Sequence, residues 1–103
     1  MWYFVSPEIS FGRGALDALE ELQGSRALVV TDRTLVDLGL VERVVSRLRR
    51  ASIECRLFDA VVGEPSIEVV QQGAAAAREM FPDWIVGVGG GSPMDAAEAI
   101  WVL

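Results

Sequence analysis

No histidine, lysine or asparagine occurs in this chain, and cysteine occurs once. Each absence removes a class of chemistry. Without His there is no imidazole general base, no Ser–His or Cys–His pair and no imidazole metal ligand. Without Lys there is no P-loop, whose lysine must reach the phosphates. A single thiol, Cys55, closes no internal disulfide. Positive charge is scarce as well: nine arginines stand against fifteen acids, for a net charge of −6. That balance argues against a nucleic-acid surface, which needs clustered cations to meet phosphates. No apolar run approaches the ~20 residues that cross a bilayer. The apolar residues 1–5 lack a basic leader and are cut short by Ser6-Pro7, so they do not read as a signal peptide. A cytoplasmic chain, with neither membrane nor nucleic acid as partner, is the expectation.

What is present amounts to one domain: 103 residues, 51% of them hydrophobic. Residues 27–30, 53–58 and 84–88 form short, nearly continuous apolar runs, the pattern of strands covered on both faces. Cys55 falls in the second run, where a small buried strand residue is the plain reading. Helical spacing fills the gaps. Ala15, Leu16, Leu19 and Leu22 make one stripe, with Gly24 at the C-cap position. Val41, Val44, Val45 and Leu48 make another, backed by Glu42, Arg43, Arg47, Arg49 and Arg50. Those arginines read as a solvated face whose last turn complements the helix dipole. A third helix starts near Pro65-Ser66 and runs to Met80, and a fourth runs from Pro93 to the end of the chain. Short N-terminal strands followed by alternating helices and strands predict an α/β fold. It is a Rossmann-like, three-layer and mostly parallel sheet with helices on both faces.

Two places at predicted strand ends carry chemistry. The first is Gly89-Gly90-Gly91-Ser92-Pro93-Met94-Asp95. Three glycines after a strand let a ligand approach the backbone and tolerate positive φ. Ser92 reads as N-cap, Pro93 as the first helical residue and Asp95 as the acid of a capping box. The N–H groups of that first turn, with the positive end of the dipole, suit a diphosphate without any lysine. A well-capped strand-to-helix turn with no ligand is the alternative. The second place is Asp32, just past the first main strand. There a carboxylate can accept from a ribose diol and repel a 2′-phosphate. It can equally be the N-cap of a helix beginning at Arg33. Gly12 and Gly14 are a weaker signal, marking the turn into the first helix.

Residues 11–16, 27–32 and 39–41, together with Phe58-Asp59, Glu64-Pro65-Ser66 and residues 89–97, recur in an order and spacing that resembles the N-terminal, nucleotide-binding part of the iron-containing (group III) alcohol dehydrogenases. The resemblance covers essentially the whole chain. It implies that residues 89–95 hold the pyrophosphate of NAD(P), and that Asp32 binds the adenosine ribose and favours NAD over NADP. It implies hydride transfer between an alcohol and an aldehyde or ketone. The catalytic iron, or another divalent metal, belongs in such enzymes to a helical C-terminal domain with an acid and several histidines. On this reading residues 1–103 are one incomplete domain, truncated before the metal-binding half. The chain alone is then catalytically silent, with a small alcohol or aldehyde substrate only when that half is present. Glu98 stands where the family usually carries Lys, and Glu64 where relatives often carry Asn. An incomplete sheet and an apolar final helix predict self-association into a homo-oligomer.

Overall fold

A computed structural model describes residues 2–5, 8–11, 19–64, 66–89 and 91–102. Five strands make one sheet: β1 (Trp2–Val5), β2 (Glu8–Phe11), β3 (Arg26–Val30), β4 (Glu54–Phe58) and β5 (Trp84–Gly89). Their order is β2-β1-β5-β3-β4. The pairs β3–β4 and β3–β5 are parallel, with Val30 opposite Phe58 on one side and Gly87 on the other. The hairpin β1–β2 is antiparallel and is added beside β5, with Trp2 opposite Gly89. The parallel part is therefore three strands, and the N-terminal pair supplies the antiparallel edge.

Alternation along the strands decides the layers. Successive strand residues point to opposite faces, and here both faces are apolar. Ala27, Val29, Val86 and Val88 meet Val41, Val44, Val45 and Leu48 on one side. Leu28, Val30 and Ile85 meet Ala96, Ala97 and Ile100 on the other. Full burial of such a side chain is worth roughly 1.5–3 kcal/mol, so β3, the middle strand of the parallel three, anchors both layers. The first layer consists of a 3-10 turn at Leu19–Glu21, a short helix α1 (Arg33–Asp37) and α2 (Leu40–Arg50). The second consists of α3 (Ile67–Met80) and α4 (Gly91–Val102). Small residues let this second layer sit close. A Cβ on Gly73 of α3 would overlap the Ile100 side chain of α4.

Several expectations shift. The helical segment after Asp32 breaks in two at Gly39, whose φ of 80° ends α1 and opens α2. Leu19 is buried, but in a 3-10 turn; residues 12–18, with Gly12, Gly14, Ala15 and Leu16, lie outside the described residues. Gly24 is not an αL cap. Its φ is 155°, and a Cβ there would press on the Trp84 indole nitrogen at 3.0 Å, so packing against Trp84 of β5 selects it. The arginine face of α2 is partly paired: Arg47 and Arg50 reach Glu20 at 2.9 and 3.6 Å.

Candidate cofactor-binding site

The chain crosses the sheet in two directions from β3. Helix α2 leads outward to β4, and α3 then returns across to β5 on the far side of β3. The connection reverses between β3 and β5, and the two crossover helices lie on opposite faces. In open α/β sheets the crevice beyond the carboxyl ends of the strands at such a reversal is where ligands bind. Both sequence-predicted segments end there, Asp32 after β3 and the glycines after β5.

Asp32 is half-buried and extended, and its Oδ1 accepts the Leu35 N–H at 2.8 Å. It is therefore the N-cap of α1, the second of its two sequence readings. One carboxylate oxygen is committed to that cap, and a carboxylate has a second oxygen with lone pairs of its own. Beside it, Arg33 pairs with Asp59 at 3.0 Å and Asp37 at 3.3 Å. The Asp59 hydrogen bond, then the charges of Asp37 and Asp59, raise the Arg33 pKa.

Gly89 closes β5 with φ of 140°. A Cβ there would meet Pro93 Cγ at 2.8 Å and Leu35 Cδ1 at 2.9 Å. Glycine is thus required by backbone conformation and by packing against α1 and α4, before any ligand is considered. The same contacts bring the start of α1 and the start of α4 together over the β3–β5 edge.

Helix α4 begins at Gly91, earlier than the sequence implied. Ser92 is then inside the first turn and not its N-cap, and Asp95 falls past that turn, where it is exposed. The capping-box assignment does not hold. The reason is physical: Pro93 can occupy any first-turn position, because N–H groups there have no intrahelical acceptor. A proline consequently does not say which residue starts the helix. Pro93 itself is buried against Gly89. Gly90 lies outside the described residues, as do the side chains of Ser92 and Met94. With no N–H of its own, Pro93 leaves the donors of the turn to its neighbours, and the dipole's positive end still faces the crevice. Glu98 is on the backbone of α4, roughly 10 Å along the axis from Gly91 at 1.5 Å per residue.

One residue of the site carried no chemistry in the sequence reading. Thr31 is fully buried, and its hydroxyl donates to the Val88 carbonyl at 2.9 Å. Its backbone N–H donates to the Phe58 carbonyl, also at 2.9 Å. The available signal was a hydroxyl placed directly after an apolar strand and directly before the candidate acid.

Away from this site, β4 departs from the fully covered strand expected for residues 53–58: it is an edge strand with most of its side chains exposed. Cys55 is half-buried in β4, burial pushes its thiol pKa up, and it contacts the Ile53 carbonyl at 3.7 Å, all of which disfavour a nucleophile. A groove of about 320 Å³, lined by Ala74, Ala77, Phe81, Ile85 and Ile100, lies at the amino end of the sheet, away from Asp32 and Gly89. Among the described residues no helix is long and apolar enough to cross a membrane.

Comparison with known proteins shows the family and the fold. The chain is 41% identical over its full length to an NADPH-dependent butanol dehydrogenase of Clostridium saccharobutylicum, covering 27% of that protein. It is 40% identical, again over its full length, to the bifunctional aldehyde-alcohol dehydrogenase AdhE of Escherichia coli, covering 12%. The fold superimposes on a 1,3-propanediol oxidoreductase with a TM-score of 0.79 and 39% identity, over 95% of this chain and 27% of that one. An iron-containing alcohol dehydrogenase from Thermococcus thioreducens gives a TM-score of 0.79 at 30% identity, over 88% of this chain and 25% of its own. The chain thus spans about a quarter or less of the length of these relatives. Residues 6–103 match the iron-containing alcohol dehydrogenase family, to which the chain belongs.

Proposed function

We propose that this chain forms the adenosine-ribose and pyrophosphate half of a nicotinamide dinucleotide site in an iron-containing alcohol dehydrogenase. The observation that carries the reading is the reversal of sheet order between β3 and β5, with Asp32 at one of the flanking carboxyl ends and Gly89 and Gly91 at the other. Asp32 would accept from the ribose hydroxyls through the oxygen left over from its cap. The backbone from Gly89 to Asp95, at the start of α4, would take the pyrophosphate, with Gly90, Gly91, Ser92, Pro93 and Met94 between. A bound nicotinamide would supply the hydride acceptor for an alcohol, or the donor for an aldehyde or ketone.

A carboxylate at the ribose favours NAD, since a 2′-phosphate would bring like charges together. The nearby Arg33 does not offset this, because Asp37 and Asp59 already engage it. The NADPH dependence in the name of one relative makes the choice worth measuring.

Iron does not fit these residues. The chain has no His, and among the described residues no three His, Cys, Asp or Glu side chains gather. The metal donors of such an enzyme would come from polypeptide outside this sequence, and these 103 residues alone would turn over no alcohol.

Calorimetric titration with NAD and NADP, on the wild type and two variants, tests the assignment. Asp32→Asn keeps a cap acceptor and loses the charge, so it is expected to weaken NAD about tenfold, one charge-assisted bond's worth, with stability near wild type. It should also narrow the preference over NADP. Asp32→Ala should lose both cap and affinity. Unchanged NAD binding in Asp32→Asn would remove Asp32 from the site.

A further inference from the structure

Thr31 stands between two strand ends. The β3–β5 ladder stops at Val30 opposite Gly87. Beyond it β5 continues through Val88 and Gly89, whereas β3 gives way to Asp32 and α1. The Val88 carbonyl therefore passes the last backbone donor of β3, in a position that water does not reach. The Thr31 hydroxyl takes the place of that donor at 2.9 Å. A buried acceptor left unpaired is costly, so the bond holds the end of β5 against the end of β3.

The contact closes a ring. Thr31 bonds Val88, which leads into Gly89; Gly89 packs on Leu35; the Leu35 N–H bonds Asp32, which follows Thr31. Each link is a covalent bond, a hydrogen bond or a packed contact. The ring contains Asp32 and the first glycine of the turn, so it sets the distance between them. Phe58 of β4 is tied in from the other side through the Thr31 N–H.

We infer that Thr31 is a positioning residue: its buried hydroxyl sets the spacing between the ribose acid Asp32 and the pyrophosphate turn at Gly89. The inference rests on the dinucleotide reading above. It concerns ligands that span both segments, and a ligand held at one of them should be less affected. Any hydroxyl at this position should serve, and an apolar group of the same size should not.

The test compares ADP-ribose, which spans both segments, with AMP, which engages the ribose end and a single phosphate. Each is titrated calorimetrically into wild type, Thr31→Val and Thr31→Ser, with a urea midpoint for every variant. Thr31→Val is expected to weaken ADP-ribose about tenfold and AMP no more than about twofold, and Thr31→Ser to restore ADP-ribose to about twofold of wild type. Should Thr31→Val not fold, Thr31→Cys keeps the volume with a weaker donor and is held to the same comparison. Equal weakening of both ligands, or a lowered urea midpoint with both affinities intact, overturns the positioning role and leaves the site assignment standing. A folded wild type that binds neither ligand overturns the dinucleotide reading, and the positioning role with it.

Discussion

Two aspartates sit at opposite ends of the same sheet and do related work. Asp83 precedes β5 at the amino end, and its Oδ2 accepts from both the Ser25 and Arg26 N–H groups, at 2.6 and 3.0 Å. Asp32 follows β3 at the carboxyl end, and its Oδ1 accepts from one N–H, that of Leu35. The amino end is further closed by the Trp84 indole, which donates to the Gln23 carbonyl at 2.9 Å. At the carboxyl end the chain instead turns twice into helices, with their positive poles side by side. The difference teaches that an aspartate beside a strand is not a binding residue by type. What separates the two is which end of a parallel sheet each occupies, because helix N-termini gather at only one.

The largest break should come at the carboxyl end. Gly89→Ala forces a side chain into φ of 140° and against Pro93 and Leu35. It is expected to cost roughly 2–4 kcal/mol in chemical denaturation. A loss below about 1 kcal/mol would mean that α1 and α4 yield easily there. Asp32→Ala comes next, losing one cap for about 1 kcal/mol, and circular dichroism with urea would register it. In Asp32→Asn that loss should nearly vanish.

Asp83 offers a pH signature. The backbone N–H groups of Ser25 and then Arg26 lower its pKa in the folded chain. A lowered carboxylate pKa stabilises the fold above the unfolded value of about 4, and this contribution is lost as pH falls through the folded value. Asp83→Asn should therefore melt below wild type at neutral pH, with the gap closing on acidification below pH ~4. A gap that widens in acid would contradict the assigned bonds. The smallest effect is expected at Arg33→Gln. Its ion pairs are exposed and screened, so the thermal midpoint should not move measurably. An improved NADP affinity in Asp37→Asn with Asp59→Asn would show that those pairs restrain the arginine.

Much of this was legible beforehand. The apolar runs at 27–30 and 84–88 became strands β3 and β5, since burial on both faces demands such runs. The Val41, Val44, Val45, Leu48 stripe became the buried face of α2. Serine and proline are both at home in several first-turn positions, so residue type does not place the start of α4 at Gly91. The constraint on Gly24 comes from Trp84, sixty residues away in sequence, so no local pattern carries it. Thr31 is silent in sequence for the same reason: its partner, Val88, lies on another strand.

Local chemistry alone determined that this chain alternates strands and helices, lacks any imidazole, and places an aspartate and a glycine run after apolar segments. Those are properties of periodicity and residue type. Only the tertiary structure decided that β5 returns to the far side of β3, because strand order is set by which apolar faces can be covered together. That one choice brings Asp32, Thr31 and Gly89 to a common edge, and it separates Asp32 from the otherwise similar Asp83.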